Sequence, residues 1–294
     1  MELQDTINAY NLSAAVAAAA DDDVAMPCFA TRTAPSVNIC TYEARRDKFV
    51  SAMLLSDGVW EPDVTAAFQE ALRFYPDAVV VDLGANVGYY SLLGAAMRHD
   101  VIAVEPVREN VRRLHKGALL SGVAGSIRVL LNAVSSRHEH VTFTYRENNV
   151  GGTSVRAISV ADAERLTQHA RDAVATTLTT DDLLDVMNVT LAVMKIDIEG
   201  YECRALLSAQ RFLDRVFVPY IFIEWRVMFR HQHFADSPCL TSDIRRLSAI
   251  LDSRKYVPYV TKDGRMLEAV HSATRWQDGD VYWRHWEAPR LHDT

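Results

Sequence analysis

Residues 78–88 read AVVVDLGANVG, a run of β-branched residues that passes directly into a glycine-rich turn. A continuous apolar run of this kind is typical of a strand that is buried on both faces. Similar runs recur along the chain, at residues 101–104, 127–131, 191–196 and 220–223. Helical stretches lie between most of them, at residues 90–97, 108–120 and 203–209. Short buried strands that alternate with helices predict an α/β fold with a doubly wound, mainly parallel sheet.

Some segments depart from this alternation. Residues 141–145 alternate in polarity soon after the third run, which predicts an added antiparallel strand. Residues 257–260 and 281–286 flank Asp263-Gly264, which predicts an antiparallel C-terminal end to the sheet. We therefore predict a main domain over residues 76–294. Residues 1–75 form an N-terminal extension of helical and irregular chain, with a short helix near residues 12–20.

The bulk properties narrow the classes of partner. The chain has 294 residues and a formal net charge of −7, which disfavours binding of a long nucleic acid by charge alone. Its four cysteines form no C-x-x-C pair, so we expect four separate reduced thiols. No stretch has the length of a membrane span or of a signal-peptide core, so we expect a soluble, cytoplasmic protein. The oligomeric state stays open.

The turn after the first strand is where a ligand would bind, because open α/β sheets bind ligands at the carboxyl ends of their strands. A dinucleotide turn reads G-x-G-x-x-G, but Asn86 and Tyr89 stand where the second and third glycines would follow Gly84. A dehydrogenase is therefore disfavoured. The Asp82 carboxylate would repel phosphates and attract an ammonium group. S-adenosylmethionine carries an ammonium and a sulfonium but no phosphate, so it fits this turn better.

Residues after the next two strands complete the predicted cofactor site. Glu105, followed by Pro106, can accept hydrogen bonds from both ribose hydroxyls. Asn132 and Ala133 follow the third strand, where the adenine end would lie. The predicted cofactor-binding residues are Asp82, Gly84, Ala85, Asn86, Gly88, Tyr89, Glu105, Pro106, Asn132 and Ala133.

Four motifs together resemble those of the FkbM family of methyltransferases. They are DLGANVG at residues 82–88, VEP at 104–106, NAVS at 132–135 and KIDIEGYE at 195–202. The resemblance covers roughly residues 78–225 and is most specific in the last motif. It implies a Rossmann-like class I methyltransferase with a seven-stranded sheet whose last strand is antiparallel. It further implies S-adenosylmethionine as cofactor and the hydroxyl of a sugar, glycan or small-molecule natural product as acceptor.

Carboxylates supply the candidate catalytic residues. Asp197 and Glu199 are two residues apart, so on extended chain they face the same side. Glu224 ends the fifth strand at the same sheet edge. Close carboxylates raise one another's pKa, which suits a general base, and they could equally hold a divalent cation, so a metal stays open. Glu199 and Glu202 could instead only accept backbone N–H groups or cap a helix.

Weaker signals and rival functions complete the prediction. His231 and His233 lie in a predicted loop and could supply a base, and residues 149–154 read as a flexible glycine loop. The aromatic residues Trp276, Tyr282, Trp283 and Trp286 fit core packing better than a pocket wall.

The segment after the fourth strand lacks the Asn/Asp-Pro-Pro-aromatic motif of many N-methyltransferases, which favours oxygen as the methyl acceptor. The alternatives are an RNA 2′-O-methyltransferase, which would need lysines clustered beside Asp197, and a non-catalytic scaffold that binds S-adenosylmethionine.

Overall fold

A computed structural model describes residues 7–9, 26–146, 149–165, 174–276 and 279–291. The strands are β1 (Cys28–Ala30), β2 (Asn38–Cys40), β3 (Val79–Leu83), β4 (Val101–Val104), β5 (Ile127–Leu130), β6 (Ala133–Val134), β7 (His140–Arg146), β8 (Asn149–Ile158), β9 (Val174–Leu178), β10 (Ala192–Ile196), β11 (Tyr220–Glu224), β12 (Tyr256–Val260) and β13 (Asp280–His285). The α-helices are α1 (Val50–Asp57), α2 (Pro62–Phe74), α3 (Tyr89–Ala96), α4 (Arg108–Leu120), α5 (Val160–Arg165), α6 (Leu183–Val186), α7 (Glu202–Leu207), α8 (Gln210–Arg215), α9 (Trp225–His231) and α10 (Thr241–Ser253). The 3₁₀-helices are Ala124–Ser126, Thr180–Asp182 and Ala269–His271.

The main sheet has seven strands in the order β12-β13-β11-β10-β3-β4-β5. The pairs β10–β3, β10–β11 and β4–β5 are parallel, whereas β13 is antiparallel to both of its neighbours. This is the Rossmann-like arrangement of a class I methyltransferase, with the antiparallel end that the sequence predicts. The predicted strands and the helices between them are confirmed to within a few residues.

Contact density divides the chain into two compact units. The first comprises residues 1–60, 84–133 and 139–177, and the second comprises residues 61–83, 134–138 and 178–294. The division that the sequence predicts at residues 75 and 76 stays a prediction. Both units draw on segments from distant parts of the chain.

The core of the second unit is apolar and rich in aromatic rings. All five residues of β10 are buried, as the continuous apolar run predicts. Phe68 of α2 packs edge-on against Phe222 of β11, with ring centroids 5.9 Å apart. The indoles of Trp225, Trp276 and Trp283 are at most 2% exposed and lie within 6.2 Å of one another, centroid to centroid. These three tryptophans stabilise the antiparallel end of the sheet by packing.

A smaller sheet has four strands in the order β6-β9-β7-β8. Strand β7 is antiparallel to β8 and to β9, which confirms the added antiparallel element predicted at residues 141–145. The prediction of a flexible loop over residues 149–154 is wrong, because these residues begin β8, in which Asn149 and Ser154 pair with Arg146 and Thr144 of β7. Two glycines favour a loop locally, but the ladder to β7 determines the conformation. The helix predicted near residues 12–20 lies outside the described residues.

The prediction of four reduced thiols is wrong, because the four cysteines form two disulfide bonds. Cys28 of β1 is bonded to Cys40 of β2, and Cys203 of α7 is bonded to Cys239 before α10. The first pair is 12 positions apart and the second 36, so no short motif marks them, and only folding brings them together.

None of the helices described above combines the length and apolar character that a membrane crossing requires.

Candidate functional site

The turn after β3 has an unusual backbone. Gly84, Asn86 and Gly88 all have positive φ values, of 87°, 50° and 91°. Glycine adopts such angles without strain, and asparagine tolerates them better than most residues. The N–H groups of Gly84 and Ala85 both donate to the carbonyl oxygen of Val104, at 2.8 and 3.1 Å. The sequence of the turn is thus matched to a sharp bend that is tied to the end of β4.

Gly88 is required for packing as well as for conformation. A Cβ atom at this position would overlap Cγ of Leu114 in α4. Gly88 also precedes α3 as its N-cap residue. The turn therefore approaches α4 at a distance that only glycine permits.

Glu105 holds this turn in place. Its Oε2 accepts a hydrogen bond from the Asn86 N–H at 2.9 Å. Its Oε1 accepts from the Val107 N–H at 2.9 Å and from Nδ2 of Asn110 at 3.1 Å. The side chain is 5% exposed, so these are buried bonds to a carboxylate, which are among the stronger hydrogen bonds in proteins. Both carboxylate oxygens of Glu105 therefore accept hydrogen bonds from the protein itself, in addition to any that they accept from a ribose.

Asn86 presents an acceptor that nothing in the described part of the chain satisfies. Its Oδ1 atom is inaccessible to solvent and receives no hydrogen bond from the described residues. Buried polar atoms in this state are rare in native proteins and need an explanation, such as a ligand. An ammonium group is a donor of the right chemistry. The turn thus fits the amino-acid end of S-adenosylmethionine.

The other predicted cofactor residues have mixed environments. Asp82 and Tyr89 are buried, at 1% and 3% exposure, and Ala133 is buried in β6. Asn132 is fully buried: its Oδ1 accepts from the Asn8 N–H, and its Nδ2 donates to Thr176. Both polar atoms of the Asn132 amide therefore form hydrogen bonds within the protein in this structure.

Pro106 lines a pocket of about 160 Å³ together with Asn8, Leu131 and Thr176. This pocket lies at the ends of β4 and β5, where the sequence predicts the adenine.

The carboxylates after β10 and β11 converge in the second unit. Asp197, Glu202 and Glu224 each offer a carboxylate oxygen, and these atoms lie within 4.8 Å of one another. Two of the three, Asp197 and Glu224, are predicted catalytic residues. The third predicted residue, Glu199, is not part of this group but contributes negative charge near Glu224. Glu199 has a positive φ of 55° and forms the bend that reverses the chain between β10 and α7.

Glu202 is the member whose role in the group the sequence does not predict. Its Oε1 accepts hydrogen bonds from the N–H groups of Ile198 and Gly200, at 3.0 and 3.1 Å. This bears out the simpler interpretation of Glu202 as an acceptor for backbone groups. Its Oε2 is also buried, however, and receives no hydrogen bond within the described ranges. The Glu202 side chain is fully buried, so one oxygen remains for another partner.

The electrostatics of the group follow from burial and like charge. Burial and then the charges of Asp197, Glu202 and Glu199 raise the pKa of Glu224 to about 10, against the opposing effect of Lys195. Burial likewise raises the pKa of Glu202 to about 7, although hydrogen bonds from backbone N–H groups oppose it. Without a cation, Glu224 therefore keeps its proton at neutral pH and can donate a hydrogen bond.

Lys195 is the cation beside this group. Its Nζ lies 3.2 Å from Oδ2 of Asp197 and 3.7 Å from Oε2 of Glu61. Burial would lower its pKa, but the charges of Asp197, Glu61, Asp280 and Glu224 raise it above the ordinary value. Lys195 is buried at 1% exposure and opposes only part of the negative charge. Within the described residues, no second lysine forms an ion pair with Asp197.

The remaining candidates lie apart from the carboxylates. His231 ends α9, so its placement in a loop is wrong, and His233 is exposed beyond it. Neither histidine belongs to the group of three carboxylates. Trp276, Tyr282 and Trp283 are buried core residues, as predicted, whereas Trp286 is 52% exposed.

Comparison with known proteins identifies a family. The family model described as the methyltransferase FkbM domain matches residues 82–258. A comparison with curated proteins finds no match. Among solved structures, the chain is similar to the O-methyltransferase TomG from Streptomyces achromogenes, which is involved in tomaymycin synthesis. The identity is 13% and the TM-score 0.44, over 97% of this chain and 99% of that one.

Two further structures show a similar likeness. For the O-methyltransferase from Bacillus cereus, the identity is 9% and the TM-score 0.44, over 83% of this chain and 92% of that one. For an rRNA methylase from Streptococcus thermophilus, the identity is 11% and the TM-score 0.38, over 74% and 92%.

These likenesses are too distant to support an activity, so the assignment depends on the family match. The matched segment covers more than half of the 294 residues, from Asp82 through the carboxylates after β10 and β11. The protein therefore belongs to the FkbM family of methyltransferases.

Proposed function

We propose that the protein is an S-adenosylmethionine-dependent O-methyltransferase that acts on a hydroxyl of a sugar, glycan or small-molecule natural product. The observation that carries the cofactor assignment is the buried, unsatisfied Oδ1 atom of Asn86 in the turn after β3. The family assignment supports the same ligand. The cofactor, when bound, supplies a methyl group on a sulfonium, a centre that a neutral hydroxyl attacks only slowly.

The residues of the turn bind and orient the cofactor. Asn86 accepts a hydrogen bond from its ammonium group, while Gly84, Ala85 and Gly88 let the backbone approach it. Asp82 contributes negative charge, and Tyr89 begins the helix that follows. Glu105 holds Asn86 in its conformation, and Pro106, Asn132 and Ala133 border the adenine end.

The carboxylates after β10 and β11 remove the proton of the acceptor hydroxyl. Asp197 is the proton acceptor in this proposal because its side chain is 27% exposed and so accessible to an acceptor molecule. Glu224 ends β11 beside Asp197 and orients the acceptor by hydrogen bonding, and Glu199 contributes negative charge. The Lys195 ammonium pairs with the Asp197 carboxylate, with Nζ 3.2 Å from Oδ2. The acceptor proton would pass to Asp197 as the acceptor oxygen bonds to the methyl carbon, while the sulfur–carbon bond of the cofactor breaks and S-adenosylhomocysteine leaves.

The cofactor assignment is tested by isothermal titration with S-adenosylhomocysteine. The informative variant is Asn86→Gly, because glycine tolerates the positive φ and removes only the amide. Arg98→Gly is the matched control, since Arg98 also has a positive φ, of 73°, and belongs to the same unit. We expect Asn86→Gly to weaken binding about tenfold or more, as for one lost bond to a charged group, and Arg98→Gly to leave it unchanged. Absence of binding to the folded wild-type protein would refute the cofactor assignment.

The acceptor class is tested with radiolabelled S-adenosylmethionine and a panel of monosaccharides, phenolic natural products and RNA. Label in an alkali-stable methyl ether of a sugar or natural product supports the proposal. Label in RNA would instead support the 2′-O-methyltransferase alternative, which the net charge of −7 disfavours. Cofactor binding with no transfer to any class, together with unaltered binding in Asp197→Asn, would favour the scaffold alternative.

The disulfides bear on where the protein works. Disulfides persist in oxidising compartments and are rare in the cytosol. The cytoplasmic location expected from the sequence stays a prediction, and the pairs Cys28–Cys40 and Cys203–Cys239 favour an oxidising compartment instead. Mass spectrometry of the protein alkylated without prior reduction shows whether the cysteines are free or paired, and so distinguishes a reducing from an oxidising compartment.

A further inference from the structure

The group formed by Asp197, Glu202 and Glu224 has the composition of a cation site. Each residue offers one carboxylate oxygen, and these oxygens lie within 4.8 Å of one another. Two ligands on opposite sides of an ion at about 2.3–2.6 Å are roughly 4.6–5.2 Å apart, so three oxygens this close can share one ion. Oxygen-only ligands favour hard cations such as Mg²⁺, Mn²⁺ and Ca²⁺ over softer metals.

Clustered carboxylates alone do not establish a site, because they are also common without an ion. The independent observation is Glu202, which is 0% exposed and whose Oε2 has no hydrogen-bond partner among the described residues. A buried carboxylate oxygen without a donor is costly for the fold. Its other oxygen is fixed by the N–H groups of Ile198 and Gly200, so the side chain is held in place. A cation is the partner that would satisfy it.

The charges around the group point the same way. Lys195 forms an ion pair with Asp197, and its single charge is shared with Glu61. Asp280 lies directly opposite Glu224 in the β11–β13 pair and adds further negative charge. Arg226 offsets Asp280 in part. When Glu202 and Glu224 are ionised, as ligands of a cation must be, the negative charge of the group and its neighbours exceeds the positive charge of Lys195 and Arg226.

We propose that Asp197, Glu202 and Glu224 bind one hard divalent cation of the Mg²⁺, Mn²⁺ and Ca²⁺ class. Glu202 thereby acts as a ligand as well as an acceptor for the backbone bend before α7. For catalysis, the inference rests on the proposed function: a hydroxyl bound to the ion loses its proton more readily, which assists Asp197.

Ion binding is measured without cofactor or acceptor, so its failure leaves the proposed function to its own test. Full-length protein is stripped with EDTA, and Mn²⁺ is titrated while free Mn²⁺ is followed by electron paramagnetic resonance. Mg²⁺ and Ca²⁺ are then added as competitors. The test variant is Glu202→Gln, which keeps an oxygen for Ile198 and Gly200. The matched control is Glu61→Gln, which removes a charge beside Lys195 but no proposed ligand.

We expect the wild type to bind one Mn²⁺ per chain, with displacement by Mg²⁺ or Ca²⁺. Glu202→Gln should raise the Kd for Mn²⁺ at least about tenfold, and Glu61→Gln should change it by less than about threefold. A second measurement separates binding from misfolding. In EDTA, Glu202→Gln should melt at or above the wild-type Tm, since it removes a buried, unsatisfied carboxylate, whereas Mn²⁺ should raise the Tm of the wild type only.

Two results would overturn the proposal. One is a folded wild-type protein that binds none of the three cations at millimolar concentration. The other is equal weakening by Glu202→Gln and Glu61→Gln, which would mean that diffuse negative charge attracts the ion.

Discussion

Replacing Glu105 with glutamine tests whether this side chain supports the turn after β3 or serves only a ligand. The substitution keeps the size of the side chain but turns one acceptor oxygen into an NH₂ donor. The carboxylate accepts from the Asn86 N–H on one oxygen and from the Val107 N–H and Asn110 Nδ2 on the other. Whichever way the amide of glutamine is turned, at least one buried N–H faces a donor instead of an acceptor.

The magnitude follows from this count of bonds. A buried donor that loses its acceptor costs about 1–3 kcal/mol, so we expect the free energy of unfolding to fall by about 2 kcal/mol. For a domain of this size, that corresponds to a decrease in Tm of roughly 4–8 °C. Because Asn86 is held by Glu105, we also expect the affinity for S-adenosylhomocysteine to fall about tenfold.

The assay is urea unfolding of the protein without ligand, followed by isothermal titration with S-adenosylhomocysteine. Glu43→Gln is the control, because Glu43 belongs to the same unit but forms an exposed pair with Arg45. We expect that control to change stability by less than about 0.5 kcal/mol. If Glu105→Gln were as stable as the control and yet failed to bind, Glu105 would act on the ligand alone and our account of the turn would be wrong.

Three further predictions concern stability. Tyr42→Phe removes the 2.7 Å hydrogen bond to Oδ1 of Asn110 and should lower the free energy of unfolding by about 1–2 kcal/mol, measured by urea unfolding. Burial lowers the pKa of His115, so stability should be full above pH 6.5 and fall as the pH drops through that value, and His115→Gln should remove this part of the pH dependence of the urea midpoint. Replacing Cys203 and Cys239 together with serine opens a link across 36 residues and should lower the free energy of unfolding by about 3–4 kcal/mol. If the tyrosine variant or the cysteine variant had the same urea midpoint as the wild type, the stabilising role given to that hydrogen bond or disulfide would be wrong.

The parallel strands were predictable because their signal is local. A run such as residues 78–81 can be buried on both faces only in the middle of a sheet, and the chain alternates such runs with helices. Asp197 and Glu224 were predictable as neighbours for the same reason, since each stands at the carboxyl end of a buried strand. The sharp bends at Gly84 and Gly88 could also be read from the sequence, because few residues other than glycine adopt them.

Other features depend on contacts between distant parts of the chain. Cys28 and Cys40 meet because β1 pairs with β2, and neither short strand has a strong sequence pattern. Glu105 can hold the turn after β3 only because folding brings the N–H group of Asn86 within hydrogen-bond distance of its carboxylate. Glu202 reads as an ordinary residue of a first helical turn, and only the bend at Glu199 and Gly200 brings it back toward Asp197.

The packing of the three buried tryptophans gives the protein an optical signature. Indoles at centroid separations of 4.8–6.2 Å couple their electronic transitions, so the folded second unit should show an exciton pair in its circular dichroism near the indole absorption bands. One of these rings belongs to Trp225, the residue directly after Glu224. The chain thus carries its own spectroscopic probe of the packing at the antiparallel end of the sheet, with no label required.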